Sequence, residues 1–282
     1  MASWDVFLFA LVVLVVVLLV LTHLSTQLLQ QAVDSTPTDE AMSSTDKSLP
    51  PTRDVEQHPQ PASTPESASD NHHAQSASTD APTSHIEQES VTLSTRALWA
   101  NVVLTQGLFG LLLAAIAWYT GVPAAAFGIV GESIPTVAVA TGVAFGVAFY
   151  ALSELSVRGF QRLGTEPPTE LREALAAETP GGWLVLLAVV LPVIAIFEEL
   201  LFRGAMIGAL SVGFDGPVWL LAVVSSVAFG LGHSAQGRAG MVVTGLLGGG
   251  LAGVFIWTES LLVVIVAHYV INALEFVVHE RG

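Results

Sequence analysis

The sequence predicts an all-α protein, a polytopic transmembrane helical bundle that carries a disordered acidic tether. Of its 282 residues, 52% are hydrophobic and only 12% are charged, and the mean hydropathy is +0.66. A soluble domain averages about 25% charged residues. From Leu98 onward, apolar runs follow one another, each near the length of about 20 residues that crosses a bilayer.

The first apolar run covers residues 6–21. A cleaved signal peptide carries a positively charged segment before such a run and a small-x-small cleavage site after it. The preceding residues MASWD contain neither Lys nor Arg, and no clear site of this kind follows Leu21. Residues 1–24 are therefore predicted to be a retained N-terminal transmembrane anchor.

Residues 25–95 are predicted to be a disordered acidic tether rich in Ser, Thr and Pro. Between Asp34 and Glu89 lie eleven of the 24 acidic residues, together with only Lys47 and Arg53 as basic residues. Such a composition does not bury enough apolar surface to form a packed core. The pair His72-His73 is interpreted as solvated side chains within this tether rather than as metal ligands.

The remaining residues, 96–282, are predicted to form one membrane domain of about six spans. Pro- and Gly-containing turns separate its apolar runs, and the six tryptophans lie near the ends of the predicted spans, where amphipathic rings are preferred. The predicted spans are 98–120, 134–155, 182–211, 217–236, 239–257 and 260–278.

Two sets of small residues at four-residue spacing predict close helix packing, because small side chains let helix backbones approach in lipid. The sets are Ala138, Gly142 and Gly146, and Gly245, Gly249 and Gly253.

The basic residues predict the orientation in the membrane. With the tether in the cytoplasm, alternating spans place every Lys and Arg except Arg203 on the inside, as the positive-inside rule requires. The protein is thus expected to be a multi-pass protein of the cell membrane, with its N-terminus outside and its tether and C-terminus cytoplasmic.

Composition excludes several kinds of chemistry. The chain has no cysteine, which excludes disulfides, thiolate metal sites and a cysteine nucleophile. With a net charge of −15 and no basic stripe to neutralise phosphates, nucleic acid is not an expected partner. The expected surroundings are the lipid bilayer, and carboxylates, imidazoles and hydroxyls are left for any reaction.

Ionisable groups inside spans are costly, on the order of 2.5 to 3.5 kcal/mol each, and so indicate a function or a pairing. Glu199 and Arg203 are four residues apart with the acid first, so they share a helix face and are expected to pair. Glu198 lies about 100° around the helix and is left without that partner, which suits a general base. The charged residues, histidines and asparagine of the last four spans are Glu198, Glu199, Arg203, His233, His268, Asn272 and Glu275.

Three neighbouring spans are expected to bring acid, imidazole and amide groups to one buried place. His233 ends the apolar stretch FGLGH, where a lone histidine is by itself more often a structural group. His268 and Asn272 are one helical turn apart and share a face of the last span.

The motifs E-E-x-x-x-R, F-x-x-x-H and H-x-x-x-N, in this order on successive hydrophobic segments, resemble those of the CPBP (CAAX protease and bacteriocin-processing, or Abi) intramembrane proteases. The resemblance covers roughly residues 96–282. It implies that Glu198 and His233 activate a water molecule, that His268 and Asn272 stabilise the oxyanion, and that Glu199 and Arg203 support them. The implied substrate is a membrane-associated protein or peptide, either prenylated or carrying a leader.

The resemblance leaves the metal question open, because the family is often described as metalloproteases. If zinc is present, the implied ligands are Glu198, His233 and His268. The H-E-x-x-H spacing of helical zinc proteases is absent, and a carboxylate with an imidazole can activate water alone. A metal-free site is therefore favoured.

Two other functions fit parts of the pattern. A non-catalytic membrane immunity or scaffold protein could keep the same fold, although the complete motif set argues against it. A proton-coupled transporter could also bury Glu and His, but such proteins usually show paired internal repeats, and none is evident in the sequence.

Overall fold

The computed structural model describes residues 1–34, 94–129, 131, 135–162 and 170–280. All regular elements in these residues are helical, which confirms the predicted all-α class. Most of the predicted tether lies outside the described residues. Its first ten residues do not, since α1 continues to Asp34, past the boundary predicted at residue 24.

Eight helices cover the described part of the chain, with short 3₁₀ turns at Ala124–Phe127 and Ser234–Gln236. They are α1 (Trp4–Asp34), α2 (Thr95–Thr120), α3 (Pro135–Arg162), α4 (Glu170–Leu175), α5 (Pro180–Phe214), α6 (Val218–Gly232), α7 (Gly237–Thr258) and α8 (Leu261–His279).

Six stretches of these helices are long and apolar enough to cross a membrane, in α1, α2, α3, α5, α7 and α8. The chain is therefore a multi-pass membrane protein, and each of these stretches overlaps a predicted span. Helix α6 is shorter, at 15 residues, or roughly 22 Å at 1.5 Å per residue. The predicted span 217–236 thus ends at Gly232, and His233 follows it as the C-cap residue.

Helix α1 is part of the bundle core. Phe7 is 0% exposed, and Leu11 and Leu14 are almost as fully buried, in a cluster with Leu113 of α2 and Phe127. The Phe7 and Phe127 rings meet edge to face, with centroids 5.9 Å apart. The sequence predicts only an anchor for this segment, whereas the structure packs it against the domain.

Because of this packing, we expect Phe7→Ala to lower the midpoint of thermal unfolding in detergent, through a loss on the order of 3 kcal/mol for an emptied phenylalanine site. Phe9, two residues later, is 72% exposed and provides the matched control. Phe9→Ala should leave the midpoint unchanged. Equal midpoints for the two variants would show that α1 does not pack on the bundle in solution.

Helices α3 and α8 approach closely at the small residues Gly142 and Gly146. A Cβ added at Gly142 would lie 2.7 Å from the carbonyl oxygen of Val263, and one at Gly146 would lie 2.8 Å from that of Ala267. Of the second small-residue set, Gly245 lies near Gly230 of α6, but Gly253 has no described neighbour within 4 Å of an added Cβ. Close packing therefore accounts for the first set more fully than for the second.

We accordingly expect Gly142→Ala and Gly146→Ala to lower the thermal midpoint and the yield of folded protein, because backbone atoms of α8 must move. Gly253→Ala adds the same methyl group to open space, and should be neutral or slightly stabilising since Ala favours helix more than Gly does. Size-exclusion chromatography and thermal unfolding in detergent measure both properties. A Gly253→Ala variant as unstable as Gly142→Ala would contradict this packing.

Candidate active site

The carboxylates of Glu198 and Glu199 lie midway along α5, where its hydrogen-bonding pattern changes. The segment Leu191–Glu199 is α-helical, and Leu200–Ala209 follows as a π-helical segment. Both Glu side chains and Arg203 are buried. Wide helical turns of this kind often occur at functional sites, and here the transition coincides with the Glu pair.

The pairing of Glu199 with Arg203 that the spacing predicts is present. Nη1 of Arg203 donates to Oε1 of Glu199 at 2.7 Å, and Nη2 donates to the carbonyl oxygen of Gly248 on α7 at 2.9 Å. The guanidinium also stacks over the ring of Phe229 on α6, 4.6 Å from its centroid. Arg203 therefore ties α5 to α6 and α7 while compensating the Glu199 charge.

Glu199 has a second partner that the spacing does not reveal. Its Oε1 lies 2.6 Å from Nδ1 of His268 on α8. A carboxylate accepts hydrogen bonds, so Nδ1 is the donor. In the neutral imidazole, Nε2 is then the free acceptor. This Nε2 atom lies 3.7 Å from Oε2 of Glu198.

His233 is oriented in a comparable way from α6. Its Nδ1 lies 2.8 Å from the carbonyl oxygen of Phe229, which can only accept, so Nδ1 again carries the proton. The Nε2 atom of His233 lies 3.9 Å from Oε2 of Glu198. Both imidazoles thus direct an acceptor nitrogen toward the same carboxylate oxygen.

Three acceptor atoms consequently face one another inside the bundle: Oε2 of Glu198, Nε2 of His233 and Nε2 of His268. We call this group the centre. Oε2 of Glu198 is buried and has no hydrogen-bond partner among the described residues. The distances of 3.7 and 3.9 Å to the two Nε2 atoms are too long for direct hydrogen bonds. A group of this kind binds a species that supplies protons or positive charge, such as a water molecule or a cation.

Gln106 of α2 also contacts the centre, and the sequence reasoning missed it. Its Nε2 donates to Oε1 of Glu198 at 3.4 Å. Sequence reasoning examined the polar residues of only the last four predicted spans. The signal that could have found Gln106 is an amide in the middle of the otherwise apolar run that starts at Leu98.

Two other residues singled out from the sequence, Asn272 and Glu275, do not contact the Glu198 carboxylate. Asn272 follows His268 by one turn of α8 and is half-buried, and its side chain makes no hydrogen bond to any other described residue. Glu275 does not join the centre, because it pairs with Arg172 of α4 at 2.7 Å. Its carboxylate belongs to a polar cluster at the end of α8.

The donor types around Glu198 suit zinc. A carboxylate with two imidazoles is a common catalytic zinc set, and a Glu or carbonyl partner on the second ring nitrogen is typical of zinc-binding histidines. Zinc bonds near 2.0–2.1 Å place ligand atoms somewhat closer together than 3.7 and 3.9 Å. Glu198, His233 and His268 therefore fit in chemical type, but their ligand atoms are not grouped as closely as a bound zinc ion requires.

A second group of potential metal ligands, formed by Glu154, Glu275 and His279, has its ligand atoms closer together than the group around Glu198. Ligand atoms of Glu154, Glu275 and His279 all lie within 4.8 Å of one another. Nε2 of His279 contacts Oε1 of Glu154 at 2.8 Å, and Arg172 already supplies positive charge to Glu275. This cluster is internally paired and joins α3, α4 and α8.

Comparison with known proteins concerns the segment that holds the centre. Residues 180–274 match the family model described as Type II CAAX prenyl endopeptidase Rce1-like. No curated protein and no solved structure matches the chain. The matched segment contains Glu198, His233, His268 and Asn272, and it leaves out α1, α2 and α3. Residues 180–274 are therefore an Rce1-like domain, which relates this membrane protein to the CPBP intramembrane proteases.

Proposed function

We propose that the chain is an intramembrane endopeptidase that hydrolyses peptide bonds of membrane-associated proteins. The observation that carries this proposal is the convergence of Oε2 of Glu198 with Nε2 of His233 and Nε2 of His268, at 3.9 and 3.7 Å, inside a bundle of apolar helices. The Glu198 carboxylate and the acceptor nitrogen of His233 are groups of the kind that hold and deprotonate a water molecule. The Rce1-like match over residues 180–274 supports the same reaction class.

In the proposed reaction, a water molecule occupies the space between these three atoms. Glu198 and His233 remove its proton as the water oxygen bonds to the substrate carbonyl carbon. The carbonyl oxygen becomes an oxyanion. When the C–N bond breaks, the proton passes from the base to the nitrogen of the leaving amine, and the products are a carboxylic acid and an amine.

His268 and Asn272 are the proposed donors to that oxyanion. Asn272 offers its side-chain N–H. His268 uses Nδ1 to donate to Glu199, so its Nε2 donates only when the ring is protonated as an imidazolium. The Glu199 carboxylate at 2.6 Å stabilises that positive charge. Glu199 therefore acts through His268, and Arg203 holds Glu199 in place.

The proposal favours a metal-free centre and keeps zinc as a testable alternative. Glu198, His233 and His268 would hold the ion, which would lower the proton affinity of a bound water. Treatment of purified, active protein with a chelator distinguishes the two. Little change in turnover agrees with the metal-free centre, whereas complete loss that stoichiometric Zn²⁺ restores would overturn it.

The proposed activity is tested with an internally quenched peptide that ends in a Cys-aliphatic-aliphatic-X sequence, offered in farnesylated and unmodified forms. Purified wild type should cleave the peptide and Glu198→Gln should not. Cleavage restricted to the farnesylated form would identify a prenylated substrate. No cleavage of either form, together with no difference in protein termini between membranes carrying wild type and Glu198→Gln, would favour the non-catalytic scaffold.

We further propose that the N-terminus lies outside and that the tether and C-terminus are cytoplasmic in the cell membrane, with the shorter α6 as a seventh crossing, because this orientation places the loop arginines inside. The chain has no cysteine, so single introduced cysteines report without background. A membrane-impermeant maleimide should reach Ser84→Cys and Gly164→Cys only from the cytoplasmic side, and Asp215→Cys only from outside. Labelling of Ser84→Cys from outside would refute this orientation.

A further inference from the structure

Helix α2 supplies a polar side chain to the centre from outside the Rce1-like segment. Gln106 precedes Glu198 by 92 positions, and the matched segment begins at residue 180. Since a carboxylate only accepts hydrogen bonds, the amide must present its N–H to Oε1 of Glu198, and this contact determines which way round the amide lies.

The other end of the same amide is left without a partner. With the N–H directed at Glu198, Oε1 of Gln106 is buried and finds no donor among the described residues. A buried carbonyl oxygen without a donor destabilises a fold. A methionine of similar length would fill the same space without that unpaired oxygen, so packing alone does not explain a glutamine at this position.

The hydrogen bond does have a consequence for the general base. The last torsion of a glutamate side chain is broad and only weakly restricted, so the plane of the Glu198 carboxylate could tilt away from the two imidazoles. Holding Oε1 at Gln106 leaves Oε2 facing the Nε2 atoms of His233 and His268. The water-binding arrangement thus depends on where Oε1 is held.

We propose that Gln106 is a positioning residue of the catalytic centre, whose amide N–H holds Oε1 of Glu198 so that Oε2 faces the two imidazoles. This inference rests on the proposed endopeptidase function. It implies that the working centre combines the Rce1-like segment with α2, and that residues 180–274 by themselves lack one of its determinants.

Three substitutions of Gln106 separate positioning from packing, measured on the purified full-length protein with the peptide form that the wild type cleaves. Gln106→Met keeps the length and removes the N–H, and should lower kcat about tenfold, the lower range for a hydrogen bond to a charged group, with KM within about twofold. Gln106→Asn keeps an amide on a shorter stem and should fall between Met and wild type. Gln106→Glu should be the least active in its ionised form, because an ionised carboxylate cannot donate and repels Glu198, whereas its protonated form can donate in place of the amide.

The Gln106→Met variant gives the decisive result. Methionine keeps the packing of Gln106 and removes its N–H, so a Gln106→Met variant with wild-type kcat would refute the inference. The thermal midpoint of Gln106→Met should stay within about 2 °C of wild type, which excludes loss of folding as the cause. Asn101→Met is the matched control, because Asn101 is an exposed amide on the same helix. It should leave kcat unchanged.

Failure of this inference differs from failure of the proposed function. If wild type cleaves the peptide, Glu198→Gln does not, and Gln106→Met has wild-type kcat, only the role of Gln106 is refuted. If wild type is no more active than Glu198→Gln on either peptide form, and membranes carrying the two proteins show no difference in protein termini, the endopeptidase proposal is refuted, and the positioning role is refuted with it.

Discussion

Replacing Glu198 with glutamine is expected to lower kcat by 10²-fold or more, the scale of a lost general base, while the protein still folds. Gln keeps the size of the side chain, so the contacts of α5 are retained. The change removes the negative charge at Oε2, which lies 3.7 and 3.9 Å from the two imidazole Nε2 atoms. Turnover of the quenched peptide by purified protein measures the loss.

The neighbouring Glu199→Gln variant should behave differently, because Glu199 is bound on both sides. Its Oε1 accepts from Arg203 and from His268, and Arg203 in turn holds Gly248 and Phe229. Without the carboxylate, the Arg203 charge stays buried and uncompensated, a change that typically costs about 3–5 kcal/mol. We therefore expect lower yield and a lower thermal midpoint together with lower activity.

The matched control for both is Glu178→Gln, an exposed glutamate ahead of α5, which should leave activity and stability unchanged. Glu198→Gln with turnover near that of the wild type would show that another group activates the water. A Glu199→Gln variant as stable as wild type would show that the buried Arg203 charge does not depend on its carboxylate.

The second large effect is expected at Asn272. Removing one oxyanion donor lowers turnover by roughly 10²–10³ in well-studied hydrolases, and Asn272→Ala should fall in that range with KM largely unchanged. The side chain of Asn272 makes no hydrogen bond to another described residue, so its amide is available to substrate and its loss should not unfold α8. Steady-state kinetics on the peptide separates kcat from KM.

Asn272→Asp provides the sharper comparison, because it keeps the shape and replaces a donor by an acceptor with negative charge. We expect it to be less active than Asn272→Ala, since an ionised carboxylate repels the developing oxyanion. If Asn272→Asp is instead as active as wild type, Asn272 does not donate to the oxyanion. A rise in KM with unchanged kcat in Asn272→Ala would assign the residue to substrate binding.

The helical architecture could be predicted from the sequence because its cause is local. An apolar run long enough to cross the membrane must form its own backbone hydrogen bonds, and in lipid a helix does so. The predicted spans therefore coincide with α2, α3, α5, α7 and α8. The pairing of Glu199 with Arg203 followed from helical spacing for the same reason, since both groups lie on one turn.

Contacts between helices could not be predicted from the sequence, because the pattern of apolar residues shows which faces are buried and not which helices meet. Tertiary packing alone placed Phe7 of α1 in the core, where the sequence indicated only an anchor. It also separated Glu275 from the centre through Arg172 of α4. Glu275 and Glu198 share the same signature of a carboxylate in an apolar segment, and only their neighbours distinguish them.

The sequence by itself singled out the candidate catalytic residues: Glu198, His233, His268 and Asn272 are polar groups in apolar segments, and burying such groups costs too much without a role or a partner. The tertiary structure decided how they are oriented. Glu199 and the Phe229 carbonyl direct both imidazole Nε2 atoms toward Glu198, and Gln106 reaches Glu198 from α2 across 92 positions. Hydrogen bonds between distant residues depend on the distances and rotations of packed helices, which no local spacing specifies.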